Sequence, residues 1–129
     1  MPLSVPILDE TTAGERRSAG EFQFEAETLT LREIIRRRVQ QEVERFNRSD
    51  IEVFRGLIQP EETERILNGV RERPVLDWQK QYARALAAFQ GNGFLVFVDD
   101  RQITDLDETV HLTAQTKVAF LKLVPLMGG

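Results

Sequence analysis

The last two residues of the sequence, Gly128 and Gly129, have the most clearly defined chemistry. Two glycines fall at this place by chance in roughly 0.5% of chains, because glycine makes up about 7% of average composition. A C-terminal carboxylate acylates another group only after activation, for example as an acyl-adenylate formed from ATP. The end of the chain must then enter a narrow channel, and glycine permits that close backbone approach because it has no side chain. We therefore expect Gly129 to be the reactive residue.

Other side chains give weaker indications of chemistry. The chain has no cysteine and a single histidine, His111, which excludes thiolate metal sites, disulfides and cysteine nucleophiles. An acidic group lacks the spacing of an EF-hand, so turn chemistry explains it better than a Ca²⁺ site does. Its members are Asp99, Asp100, Asp105, Asp107 and Glu108. No glycine-rich phosphate loop opens a helix. We expect neither a metal nor a cofactor, and the chain is not expected to be an enzyme.

Length and composition indicate one ordinary globular domain. The chain has 129 residues, 41% hydrophobic and 29% charged, which excludes collagen-like, low-complexity and wholly disordered chains. The formal net charge of -4 disfavours nucleic acid as a partner. No apolar run reaches the ~20 residues of a membrane helix, and the N-terminus lacks the pattern of a signal peptide. We expect a cytoplasmic protein with no membrane partner.

The elements that must position the C-terminal end begin with two candidate strands. Residues 3–9 are apolar but contain Pro6, which argues against a central strand because proline cannot donate to a sheet. Residues 10–20 are predicted to form a flexible loop. Polar and apolar residues alternate over 21–26, which predicts a half-buried strand. The residues expected on its core face are Phe22, Phe24 and Ala26.

The clearest predicted helix follows. Thr30 and Glu33 have the spacing of a capping box, and apolar residues then recur every three or four positions. This stripe contains Leu31, Ile34, Ile35, Val39, Val43 and Phe46. The helix is expected to end at 47–49. Opposite charges four residues apart are expected on its exposed side, as Glu33–Arg37, Arg38–Glu42 and Glu44–Arg48. We therefore interpret the basic run 36–38 as a solvated face rather than a phosphate site.

The second half of the chain contains further helices and a group of strands. Pro60 precedes an acidic first turn that predicts one helix, and Asp77 is expected to cap another. The run 94–98 is apolar throughout and predicts a buried strand. A turn and a short strand follow it. The last strand is predicted over 118–124 and ends before Pro125.

This order of parts resembles the ubiquitin-like β-grasp proteins. The features that carry the resemblance are the apolar strand 94–98, Gln102-Ile103, the strand at 118–124 and the terminal diglycine. The tail with Pro125 is also similar to the sulfur carriers of molybdopterin and thiamine synthesis. The resemblance implies an α+β fold in which a mixed sheet packs on one main helix. It divides the chain into 1–49, a helical insertion at 50–92, and 93–129 with the tail.

The resemblance also implies a function. Gly129 would be adenylated by an E1-like enzyme and then joined to a protein target, which makes the chain a ubiquitin-like modifier. An E2-like enzyme and a JAB-type peptidase would be further partners, as in bacterial conjugation pathways. Gly128 would belong to the same conjugation and activation site as Gly129, and the residues read by the activating enzyme would be Pro125, Leu126 and Met127. The alternative is a sulfur carrier, in which Gly129 becomes a thiocarboxylate.

Two surfaces are candidates for non-covalent contacts. By resemblance, the docking patch of the family falls near Phe97 and Leu123. An apolar face of the helix capped by Asp77 is a candidate for self-association, although such a face more often belongs to a core. Its residues are Trp78, Tyr82, Leu86 and Phe89. This face would serve a third function, that of a β-grasp assembly or scaffold protein that forms homo-oligomers and no covalent bond.

Overall fold

The structure is a computed structural model that describes residues 3–48, 56–58 and 76–123. Seven strands and two helices occur in these ranges. The strands are β1 (Leu3–Thr11), β2 (Arg16–Phe24), β3 (Thr28–Thr30), β4 (Phe94–Val98), β5 (Arg101–Ile103), β6 (Thr109–His111) and β7 (Val118–Lys122). The helices are α1 (Leu31–Arg48) and α2 (Trp78–Gln90).

Five strands form one mixed sheet in the order β2-β1-β7-β4-β5. β1 and β7 are parallel, and every other neighbouring pair in this sheet is antiparallel. β3 and β6 pair separately. The hydrophobic core lies between one face of the large sheet and α1. The fold is therefore α+β with the arrangement of a β-grasp, which confirms the predicted fold class.

Helix α1 forms where the sequence predicts it. The Thr30 hydroxyl accepts from the backbone N–H of Glu33 at 3.3 Å, and the Glu33 carboxylate accepts from the N–H of Thr30 at 3.4 Å. This reciprocal pair is the predicted capping box. The whole predicted apolar stripe is buried, and the helix ends at Arg48, inside the expected range.

The prediction of a long loop at 10–20 is wrong. β1 continues to Thr11 and β2 begins at Arg16, because the polar side chains here point outward while the two backbones still pair. β1 also runs through Pro6. Pairing with β7 begins only at Ile7, so Pro6 has a strand neighbour on one side alone and its missing N–H disrupts no ladder on the other.

The predicted core face of β2 is also wrong at one residue. Phe22 and Phe24 are fully buried, as expected. Ala26 is exposed, because the strand ends at Phe24 and the alternation of faces ends with it.

Within the described residues, the outer edge of β2 is closed by side chains of α1 rather than by another strand. The Gln41 side chain accepts from the Gln23 N–H at 2.9 Å and donates to the Gln23 carbonyl at 2.7 Å. Arg37 donates to the same carbonyl at 3.5 Å, and Arg45 donates to the carbonyl of Glu21. The Gln41 amide thus provides the two hydrogen bonds that a neighbouring strand would make. Such closure protects an edge strand from pairing with another chain.

Helix α2 begins as predicted and packs on α1. The Asp77 carboxylate accepts from the N–H of Gln79 at 2.9 Å, which is the predicted N-cap. Leu76 and Ala85 are buried in the common core. The region that the sequence assigns to an insertion, 50–92, therefore contributes to the same core as the sheet; its boundaries stay a prediction.

Candidate functional site

The attachment point of the C-terminal segment is the end of β7. Residues 124–129 lie outside the described residues, and with them the predicted reactive pair Gly128 and Gly129 and the predicted recognition residues. The latter are Pro125, Leu126 and Met127. β7 itself is hydrogen-bonded to β1 on one side and to β4 on the other. The segment therefore starts from a central strand of the sheet.

The last described residue, Leu123, extends this central ladder by one bond. Its backbone N–H donates to the carbonyl of Gly93 at 3.1 Å, one step beyond the pair Phe94–Lys122. The Leu123 side chain is half-buried. The direction of the chain at the start of the C-terminal segment is thus set by regular antiparallel pairing.

An apolar patch covers the sheet face opposite α1. Phe97 pairs with Ala119, and Leu95 pairs with Leu121, so these side chains lie together on β4 and β7. Leu8 of β1 adjoins Ala119 across the parallel ladder. All five are half-buried, whereas the alternate residues of β4 are buried in the core. Phe97 therefore lies on the open face, and Leu123 follows Ala119 and Leu121 at the same two-residue period; a docking role for either stays a prediction.

A buried ion network lies beside the end of β7, on the α1 side of the sheet. Arg38 of α1 donates to both oxygens of Asp9 of β1, at 2.6 and 2.7 Å, and to Glu42 at 3.2 Å. The Arg38 side chain is 0% exposed and that of Asp9 is 6% exposed. Lys122, the last residue of β7, approaches Asp9 at 3.7 Å and is 32% exposed. The guanidinium of Arg38 also lies over the ring of Phe120, 4.5 Å from its centroid.

The network fixes the charge states of its buried members. Burial alone would raise the pKa of Asp9, but the hydrogen bonds and positive charge of Arg38 outweigh it and hold that pKa below its ordinary value. Burial alone would lower the pKa of Arg38, and the carboxylates of Glu42 and Asp9 raise it above its ordinary value instead. Both groups are therefore charged at neutral pH, as a paired buried arginine and carboxylate must be.

This network corrects the sequence interpretation of the basic run 36–38. Arg38 was expected on a solvated face, yet it is fully buried. Arg38 does pair with Glu42, but in the interior. Arg37 donates to the Gln40 side chain instead of pairing with Glu33, and Arg48 donates to the backbone carbonyl of Glu44 instead of its carboxylate. The spacing of Arg38 from the apolar residues of α1 could have predicted its burial. Position 38 follows Ile34 by four residues and Ile35 by three, so it lies on the apolar stripe.

The apolar face of α2 packs largely on the chain itself. Trp78, Tyr82, Leu86 and Phe89 are all partly buried against the core. The Phe89 ring lies 5.7 Å from that of Phe94, centroid to centroid. This packing explains the stripe without a partner chain. Self-association through it stays a prediction.

The remaining candidates for chemistry are His111 and the acidic group that includes Asp105 and Asp107. Within residues 3–48, 56–58 and 76–123, no three His, Cys, Asp or Glu side chains converge as metal ligands. His111 is exposed, and its Nδ1 lies 3.3 Å from the hydroxyl of Thr28. In the same part of the chain, no helix has the length and apolar character needed to cross a bilayer.

Comparisons with protein-family models, with curated proteins and with solved structures find no match for this chain.

Proposed function

We propose that this chain is a ubiquitin-like protein modifier. An E1-like enzyme adenylates the carboxylate of Gly129, and the acyl group then passes to an amine of a target protein. In the adenylation step, the carboxylate oxygen attacks the α-phosphorus of ATP and pyrophosphate leaves. In the final step, the target amine attacks the activated carbonyl, and an amide forms as the leaving group departs. The chain supplies the acyl group, and its partner enzymes supply the catalysis.

The observation that carries this proposal is the place of β7 in the sheet. The strand that leads to the diglycine is central and paired on both sides, and its core-facing residues Val118 and Phe120 are buried. A globular body held this firmly presents Leu123, after which the C-terminal segment begins, at a defined position relative to a docking surface. Docking raises the effective concentration of the carboxylate at the activating site.

The docking surface in this proposal is the open face of the sheet. Its half-buried patch around Phe97 and Leu121 lies on β4 and on β7, and β7 is the strand that leads to the C-terminal segment. A partner that covered this patch would therefore hold the strand from which the segment leaves. Contiguous apolar surface of this kind is typical of protein interaction sites.

The test is to look for covalent adducts in the cells that make the protein. The full chain with an N-terminal affinity tag is purified under denaturing and reducing conditions, so that only amide-linked partners survive. We expect bands heavier than the free chain. Gly129→Val should remove them, because a branched side chain blocks close approach of the backbone. Ala114→Val is the matched control, since Ala114 is exposed in a turn that precedes β7.

Absence of adducts from the unaltered protein, or their persistence in Gly129→Val, would contradict the proposal. The intact mass of the free chain tests the alternative of a sulfur carrier. A thiocarboxylate at Gly129 makes the protein heavier by the difference between one sulfur and one oxygen atom. A thiocarboxylate found in the absence of adducts would assign the same carboxylate to sulfur transfer. The feature of the sequence that favours this second candidate is the tail with Pro125.

A further inference from the structure

The ion network at the end of β7 continues beyond α1. The second oxygen of Glu42 accepts from the backbone N–H of Leu57 at 3.1 Å, and the Lys122 ammonium donates to the carbonyl of Gly56 at 3.4 Å. The short segment 56–58 is thus held from both sides. One contact comes from the strand that leads to the C-terminal segment, and the other from the network around Arg38.

The same segment is bonded to α2. The Gln81 side chain donates to the carbonyl of Ile58 at 2.6 Å, and its oxygen accepts from Arg84 at 2.8 Å. Gln81 is 2% exposed, which is unusual for a polar residue in the middle of a helix. A continuous path of hydrogen bonds and ion pairs therefore joins α2 to the last residue of β7. In order, it runs through Gln81, the segment 56–58, Glu42, Arg38, Asp9 and Lys122.

We propose that Lys122 is a positioning residue for the C-terminal segment, and that the path to Gln81 couples its position to α2. This inference rests on the proposed function for its biological meaning. Its physical content is that contacts in the region 50–92 influence how firmly the chain is held where it leaves the sheet. A partner of the activating or conjugating kind that touched α2 would then affect presentation of Gly129.

The two ends of β7 are held by different contacts. At its beginning, Val118 is buried. The backbone of the preceding residue, Lys117, is hydrogen-bonded to Asp99, and the Lys117 side chain is exposed. At its end, the Lys122 side chain bridges Asp9 and Gly56, so two further elements hold that residue in place. A chain of contacts does not by itself establish coupling, so a direct measurement must.

The first experiment measures amide hydrogen exchange at Leu123, whose N–H donates to Gly93. Lys122→Met keeps much of the side-chain volume and removes the ammonium. We expect exchange about three- to tenfold faster at Leu123, as for local opening released by the loss of one or two polar contacts. Lys122→Arg should restore slow exchange, because it keeps the charge. Lys117→Met, a change at the exposed lysine before β7, should leave exchange unchanged.

The second experiment tests the coupling to α2. Gln81→Met removes the bond to Ile58, and we expect faster exchange at Leu123 than in the control Gln79→Met, whose side chain is exposed. We then compare the double variant, Gln81→Met with Lys122→Met, with the two single variants. The logarithm of its rate increase should be smaller than the sum of the logarithms for the two single variants. Unaltered thermal midpoints across the set separate local opening from global loss of stability.

The outcomes separate this inference from the proposed function. Unchanged exchange at Leu123 in Lys122→Met, or an equal change in Lys117→Met, would overturn the positioning role. Strict additivity with Gln81→Met would overturn the coupling. Neither reading depends on conjugation. If the unaltered protein forms adducts, an immunoblot should show fewer adducts for Lys122→Met and an unchanged amount for Lys122→Arg. An unchanged amount of adducts for Lys122→Met would refute the inference and leave the proposed function intact.

Discussion

Two parts of α1 hold the sheet in different ways. The apolar part, residues 31–35, packs with side chains such as Leu31, Ile34 and Ile35, all fully buried. The polar part, residues 38–41, adds buried polar side chains, of which Arg38 pairs with Asp9 and Gln41 closes the edge of β2. The apolar part supplies non-directional stability, and the polar part supplies directed bonds. The Arg38–Asp9 pair lies toward the sheet end at which β7 ends, whereas the bonds from Gln41 lie toward the opposite end.

The largest effect is expected from Arg38→Met in the polar part of α1. It leaves the carboxylate of Asp9 buried without its partner, which costs about 3–5 kcal/mol of unfolding free energy. Urea denaturation measures this loss. The matched control is Arg36→Met, two positions away and only half-buried, which should change stability by about 0.5 kcal/mol or less.

A double variant sharpens this test. Adding Asp9→Leu to Arg38→Met removes the stranded carboxylate, so part of the lost stability should return. The double variant could instead lose at least as much unfolding free energy as the two single variants lose together. That result would show that Arg38 and Asp9 do not act as a buried ion pair.

The next largest effect is expected from Ile34→Ala in the apolar part of α1. Ile34 is fully buried, and its truncation should cost about 2–4 kcal/mol through lost apolar burial and the cavity left behind. The free energy of unfolding should fall by the same amount at neutral pH and at pH 4, because no charge is removed. A strongly pH-dependent loss would contradict the apolar character of the packing at residues 31–35.

A smaller effect on stability is expected from Gln41→Leu, about 1 kcal/mol for the lost hydrogen bonds. The more telling readout is molecular mass in solution. Without the Gln41 amide, the N–H and carbonyl of Gln23 form an open strand edge, and we expect concentration-dependent self-association. Gln40→Leu is the control, because Gln40 bonds to Arg37 and does not contact β2. A strictly monomeric Gln41→Leu protein would show that the edge needs no such protection.

The mildest change is acidification, which leaves every side chain in place. The pKa of Asp9 lies below its ordinary value in the folded protein. Its contribution to stability is therefore present above the pKa of the unfolded chain and is lost as the pH falls through the lower folded value. We expect the stability difference between the unaltered protein and Arg38→Met to narrow below about pH 4, the ordinary range for aspartate. A constant difference down to pH 2 would contradict this.

The same division explains how much the sequence predicted. The α1 stripe, its capping box and the Asp77 cap followed from periodicity and cap chemistry. The strands predicted at 94–98 and 118–124 followed from their apolar runs, although the last strand ends at Lys122. The fold class followed from the resemblance of this order of parts to the β-grasp proteins. The burial of Gln41 did not follow from the sequence, because long polar side chains are normally exposed and tertiary contacts decide which of them are buried. Arg38 was also expected to be exposed, although its spacing from Ile34 and Ile35 places it on the apolar stripe. The long β1–β2 hairpin was missed for a related reason, since its polar residues gave no apolar signal.

The candidate site was predictable only in part. The sequence identified the strand that leads to the diglycine, and Phe97 lies on the open face of the sheet. The network around Lys122 could not be predicted, because its members come from five separate parts of the chain. Sequence patterns report neighbours along one element, whereas this network joins β1, α1, the segment 56–58, α2 and β7.

The most direct test of the account is a tryptic map of proteins from the cells that make this chain. Trypsin cleaves after Lys122, so a conjugated target should carry residues 123–129 as a branch on one of its amines. The account predicts such branched peptides, and predicts that they disappear in Gly129→Val. If residues 123–129 are recovered only as a free, unmodified peptide, the C-terminal carboxylate does not react and the account is contradicted.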